Sequence, residues 1–344
     1  DDTIVVGADD TLQIRDDTRF TGEGDAFVLN SAGSVTNAFR GVETVNFGGN
    51  VTYSASGGSV SGGESISVAD AFRVFADDGV TLKATYSSFD DAINAFGGTH
   101  SAASDFLLIA DGTIVDAASA SIPVGLTILG SGTANAAKFS AELTLSNNDI
   151  TLEGLRFEVA DTEIGVSITG SDAVIKDSTF VGPDSGGPAG TGIDIDSGSA
   201  SISGSTFDGL ATAMVVDTTA GESVSIAENT IKNNSTGVTV EGFSNNASTA
   251  LSIAENSFSA NTTSAINLTG TFEDQAADFR IEDNRITLAD GSTGIASDAV
   301  IPAAYDPTLG RSILDNAFVL PTGQGESAAR FTLNTLDSNT ANLI

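Results

Sequence analysis

The chain has 344 residues, 38 of them Gly, with no Cys or Trp, one Met and one His, so disulfides, thiolate zinc sites and cysteine nucleophiles are excluded. Acid outnumbers base 46 to 13, and the net charge of −33 repels nucleic-acid backbones and anionic membranes while suiting divalent cations. Apolar residues at 40% suffice for a core; aromatics at 6% favour a thin stack of β-branched side chains.

Beginning at Asp1 without an initiator Met or apolar leader, the sequence reads as a processed or trimmed form. Asp-Asp-Thr recurs at 1, 9 and 16, in DDTIVV, DDTLQI and DDTRFTGEGDAFVL. These acidic-turn-plus-strand units resemble the calcium-binding nonapeptide repeats of bacterial type I-secreted proteins. That resemblance implies Ca²⁺ ligands at Asp1, Asp2, Asp9, Asp10, Asp16, Asp17 and Asp25. The same acid content also serves solubility alone. GVETVNFGGNVTYSASG (41–57) is similar to strand segments of surface-layer and adhesin proteins. The Gly/Ser stretch 54–63 is read as continuing β-structure, because Val51, Tyr53, Ile66, Val68, Phe72 and Val74 keep an apolar pattern around it.

YSSFDDAINAF (86–96) has Phe89, Ile93 and Phe96 on one face at helical spacing, and Ser87 or Ser88 supplies the N-cap. DFLLIADGTIVD (105–116) and GLTILGSG (125–132) follow as strands. His100, the one imidazole, falls between helix and strand and is expected in an exposed loop. GSGTAN (130–135) lacks the Lys-Ser/Thr of a phosphate loop and reads as a glycine turn.

From residue 152 the chain repeats itself. An apolar residue is followed five positions later by another: Leu152/Phe157, Ile175/Phe180, Ile202/Phe207, Ile226/Ile231, Ile253/Phe258, Ile281/Ile286 and Ile313/Phe318. Successive first members are 23, 27, 24, 27, 28 and 32 residues apart, a drifting period typical of a solenoid. Each unit carries a further short strand: GVSI (165–168), GIDI (192–195), AMVV (213–216), GVTV (237–240), AINL (265–268) and GIAS (294–297). An antiparallel sandwich would instead show hairpin turns at shorter, regular spacing. Phe157, Phe180, Phe207 and Phe258 are expected as an internal stack. Three residues after the first anchor come Asn229, Asn256, Asn284 and Asn316, preceded in the column by Ser178 and Ser205. Stacked about 4.8 Å apart, such Asn side chains hydrogen-bond along the column, and Asn tolerates a left-handed corner.

These repeats resemble right-handed parallel β-helix proteins of the pectate-lyase-like superfamily, and the helix, the Asp-Gly-Thr strand and the Leu-Gly closure at 86–132 are similar to the opening of many such coils. The expected fold is all-β: a right-handed parallel β-helix solenoid with a short N-terminal capping helix and an extra N-terminal β-rich segment. The expected division is 1–85 as a β-rich segment for assembly or calcium, 86–320 as the β-helix and 321–344 as a C-terminal cap or tail.

Enzymes of that superfamily act on acidic polysaccharides with paired carboxylates or a Ca²⁺ site plus a base. The best pair here, Asp194 and Asp196 in GIDIDSG, faces outward as a candidate ligand face, with Ser167, Thr239 and Asn267 in neighbouring units. No catalytic constellation is assigned. Asp90 and Asp91 fall on the helix rather than on a coil strand. The expectation is a non-enzymatic structural protein, secreted or at a bacterial-type cell surface. It would self-assemble as a subunit of a surface layer, adhesin or filament, with Ca²⁺ as the candidate cofactor. Its partners would be other copies of itself, with polysaccharide left open and no nucleic acid or membrane insertion. The alternative is a polysaccharide lyase, epimerase or phage-type depolymerase.

Overall fold

A computed structural model describes residues 71–319 apart from 80, 87, 111–112, 117, 119, 133–135, 184–186, 219–221, 244–249, 270–277 and 298–310. It also describes short strands within 1–70 and one at Phe331–Leu333. The chain forms two compact units, Asp1–Thr113 with Leu126–Ala137, and Ile114–Gly125 with Lys138–Ile344. Among the described residues no helix is long and apolar enough to cross a membrane.

In the first unit, Thr3–Val6, Ala26–Leu29 and Thr44–Phe47 pair in parallel, and Ser65–Ser67 closes that sheet antiparallel. Thr52–Ala55 pairs with Ser34–Val35 and Gly58–Val60, so strands occupy 54–55 and 58–60 of the Gly/Ser stretch. Phe72–Ala76 lies antiparallel to both Leu82–Tyr86 and Asp105–Ile109, and Thr127–Leu129 adds in parallel to the latter. The hairpin turns where Asp78 accepts from the Thr81 amide at 2.8 Å and its hydroxyl at 2.6 Å. The expected helix runs Phe89–Ala95; Ser88 is its N-cap, accepting from the Asp91 amide at 3.2 Å. Phe89, Ile93 and Phe96 are all buried, and Phe89 meets Phe72 of the hairpin edge-on.

The second unit is a coil of parallel strands, each turn contributing one strand to each of three sheets. In the first sheet Leu152, Ile175, Ile202, Ile226, Ile253, Ile281 and Ile313 are in direct register. In the second, Val115, Phe139, Phe157, Phe180, Phe207, Ile231, Phe258, Ile286 and Phe318 form one column. The third consists of Leu143–Leu145, Ile164–Ile168, Thr191–Asp196, Thr212–Thr218, Thr236–Phe243, Ser264–Leu268, Thr293–Ser297 and Phe331–Leu333. These bounds contain every short strand expected from the repeat. The architecture is thus the all-β parallel solenoid expected from the sequence, and period-2 alternation turns the anchors inward, where each buried Ile or Phe contributes about 1.5–3 kcal/mol.

Successive Phe rings stack at 5.1 Å (Phe139–Phe157), 4.6 Å (Phe157–Phe180) and 4.7 Å (Phe180–Phe207), the last two within 7° of parallel. Phe258 is in the column but stands apart from this run, between Ile231 and Ile286. A facing column in the third sheet is Gly165, Gly192, Ala213, Gly237, Ala265 and Gly294. A Cβ at Gly192 would stand 3.0 Å from Phe207 Cδ1, one at Gly237 2.9 Å from Phe258 Cδ1, and one at Gly294 2.5 Å from Phe318 Cε1. Ala213 and Ala265 occupy the coils just before Ile231 and Ile286. Small and large residues are therefore matched: Gly precedes Phe, and Ala precedes Ile.

Candidate functional site

At the corner between the first and second sheets, one polar ladder runs through seven coils. The Leu155 and Ser178 amides donate to Ser178 Oγ and Ser205 Oγ at 3.2 and 3.1 Å. The Ser205, Asn229, Asn256 and Asn284 amides donate to the Oδ1 of Asn229, Asn256, Asn284 and Asn316 at 3.0–3.1 Å. Each Asn Nδ2 also reaches back to a main-chain carbonyl, Asn229 to Ile202, Asn256 to Ile226, Asn284 to Ile253 and Asn316 to Ile281. Ser178 and Ser205 thus carry the same ladder as the Asn residues. The left-handed corner conformation falls elsewhere than on Asn. It belongs to the preceding residue, with φ of 50–61° at Asp177, Gly204, Glu228, Glu255, Asp283 and Asp315. That position points to solvent, while the Asn beside it points in and satisfies backbone groups that would otherwise be buried unpaired.

A second, shorter ladder lies at the next corner. The Leu210 and Asn234 amides donate to Asn234 Oδ1 and Asn261 Oδ1 at 2.8 and 3.1 Å. Its sequence signal was Asn eight residues after Ile226 and Ile253, on two successive units. Asn261 opens an Asn-Thr-Thr triplet, but it is buried and its Nδ2 donates to Ile231 O at 3.1 Å.

On the outward face of the third sheet, Ser167, Asp194, Val215, Thr239 and Asn267 share a column, as the repeat predicted. The acid there extends further than the expected pair. Asp196 registers directly against Asp217, and a bulge after Val216 brings Gly242, not Glu241, beside Asp217. Burial pushes the Asp194 carboxyl above the usual aspartate range, and the charges of Asp196, Glu241, Glu142 and Asp217 add to the rise. Among the described residues no group of three or more His, Asp or Glu could hold a metal ion.

Residues 136–299 match the family model of the right-handed β-helix region. The coil is a right-handed parallel β-helix. No curated protein and no solved structure matches the chain.

The outer face of the first sheet of the β-helix holds a shallow trough of about 540 Å³. Ser201, Ser225, Ser252 and Arg280 run along it in register, with Val174 and Asp172 at the opposite end. Charged side chains elsewhere on the β-helix pair across neighbouring coils, Glu158 with Lys138, Lys176 with Glu153 and Lys232 with Asp208, and Glu158 also pairs with Arg156 of its own strand. The hydrogen bond from Lys138 is the main reason the Glu158 carboxyl sits below its ordinary range.

His100 differs from its expectation. Its side chain is only 8% exposed, because the Tyr86 and Phe96 rings cover it. The proposed Ca²⁺ ligands Asp1, Asp2, Asp9, Asp10, Asp16, Asp17 and Asp25 lie outside the described residues.

Proposed function

We propose that the chain is a non-catalytic, extracellular structural protein of the bacterial cell surface, self-assembling as a subunit of a surface layer, adhesin or filament. The observation that carries this reading is the ladder from Leu155 to Asn316. Its buried polar groups fix the spacing of coil on coil instead of converging on a pocket. A coil built this way is rigid along its axis, and the edge strands at its ends offer backbone groups for pairing between copies. The acidic N-terminal repeats supply Ca²⁺ ligands that stiffen or gate the joints. Negative-stain microscopy and light scattering, with and without millimolar Ca²⁺, test the reading. Filaments or sheets are expected; dispersed monomers under both conditions overturn it. Chelation that leaves both the melting temperature and assembly unchanged removes the ion.

A polysaccharide lyase, epimerase or depolymerase is the second reading. What favours it is Asp194, a carboxyl held toward its neutral form beside ionisable Asp196 and Asp217, the kind of environment that general acids use. Unsaturated or reducing products from alginate, pectate or capsule polymers, lost in Asp194→Asn, would establish this reading in place of the first.

A further inference from the structure

Outside the β-helix coil, the first unit contains a compact cluster of titratable groups. The Tyr86 hydroxyl lies 2.8 Å from His100 Nε2, and its ring meets the imidazole edge-on at 6.1 Å. Phe96, at the end of the helix, covers the imidazole at 5.7 Å. His100 Nδ1 is 4.0 Å from Asp105 Oδ2, and the Asp105 side chain is 2% exposed. Asp105 already has donors of its own: Lys83 Nζ and the Ser104 hydroxyl on Oδ1, and the Ser101 amide on Oδ2. One carboxylate therefore already balances one ammonium beside the imidazole.

We propose that His100 is an acid-sensitive latch: neutral, it pins Tyr86 and the 97–104 loop together against the helix, and protonated, it releases them. The chemistry follows from the hydrogen bond. A neutral ring with its proton on Nδ1 accepts at Nε2 from the Tyr86 hydroxyl. Protonation converts Nε2 into a donor, so the hydroxyl reverses from donor to acceptor, and what loosens the site is the second cation that joins Lys83 next to a single buried carboxylate under two covering rings. The groups facing the ring are Lys83 and Tyr86 from Leu82–Tyr86, Asp105 from Asp105–Ile109 and the uncharged Phe96 from the helix; Lys83 and Asp105 are the charges acting on it. Burial lowers the imidazole below its ordinary value, Asp105 opposes that shift and Lys83 reinforces it. A folded value below the unfolded one means that the contribution is whole above about pH 6.5 and is lost as the pH falls. The inference is independent of whether the coil assembles.

Because the chain has one His, its imidazole gives a single C2–H proton resonance that can be titrated without assignment ambiguity. The expected midpoint lies below 6.5 and moves upward in Lys83→Gln, which removes the neighbouring cation. Hydrogen exchange across residues 82–109, corrected for intrinsic rates, should show about tenfold more opening near pH 5 than near pH 7.5 in the native chain. His100→Gln, which keeps a neutral hydrogen-bonding side chain, should show little of that change. A wild-type midpoint at or above 6.5, or an acid response in His100→Gln equal to the native one, overturns the latch. If His100→Gln fails to fold, the imidazole titration decides alone.

Discussion

The early and late coils of the β-helix solve one stacking problem with different materials. Between Phe139 and Phe207 the second sheet is a run of stacked rings, and the adjoining corner is held by the hydroxyls of Ser178 and Ser205. From Asn229 to Asn316 the rings give way to alternating Ile and Phe, and the corner is held by four Asn side chains that each accept and donate. A hydroxyl here accepts one amide and donates to a carbonyl in its own coil, as Ser205 does to Ser203 O at 3.0 Å. An Asn also reaches a carbonyl of the preceding coil. Where aromatic packing is continuous, the corner makes fewer polar bonds between coils; where it is interrupted, the corner makes more.

Four substitutions would break or sharpen this contrast. Phe180→Ala, in the middle of the ring stack, should cost about 3–5 kcal/mol in urea unfolding, since rings above and below lose a face and the cavity is closed on both sides. Asn256→Ala should cost about 2–4 kcal/mol, because it takes the acceptor from the buried Asn229 amide and a donor from each of the Ile226 and Ala254 carbonyls. Ser205→Ala should cost about half as much; equal losses would show that the Asn bonds between coils contribute nothing extra. Gly237→Ala should cost about 1–3 kcal/mol through overpacking on Phe258 and the Ala265 carbonyl. Adding Phe258→Ile should recover part of that loss, since it recreates the pairing of Ala213 with Ile231. A strictly additive double mutant would show that the two columns are not matched to each other.

Much of this was legible in the sequence because register in a parallel coil follows directly from repetition. The pairs Leu152/Phe157 through Ile313/Phe318 named two sheets, and GIDI and its counterparts named the third. What escaped was whatever depends on neighbours in space rather than on period. The Asn column was visible, but not that the strained backbone sits on Glu228 and Glu255 beside it, since Asn alone suggested a left-handed corner. Asp217 follows AMVV as Asp196 follows GIDI and was open to the same register reading, whereas the place of Glu241 depends on a bulge that leaves no periodic mark. His100 was read as exposed because its covering rings come from the hairpin and the helix, where no repeat guides the reading.

The matching of Gly to Phe and Ala to Ile also bears on how such a gene can grow. Copying a single turn from the Phe180 and Phe207 stretch sets a Gly before a Phe again and leaves the interior intact. Copying a single turn that begins at Ile231 and ends after Gly237 would set Gly237 before a second Ile and open a void. A single turn can be added there only if the copy begins at the small residue, as from Ala213 through Ile231, so the later part of the molecule restricts where a duplication may be cut while the Gly-and-Phe part does not.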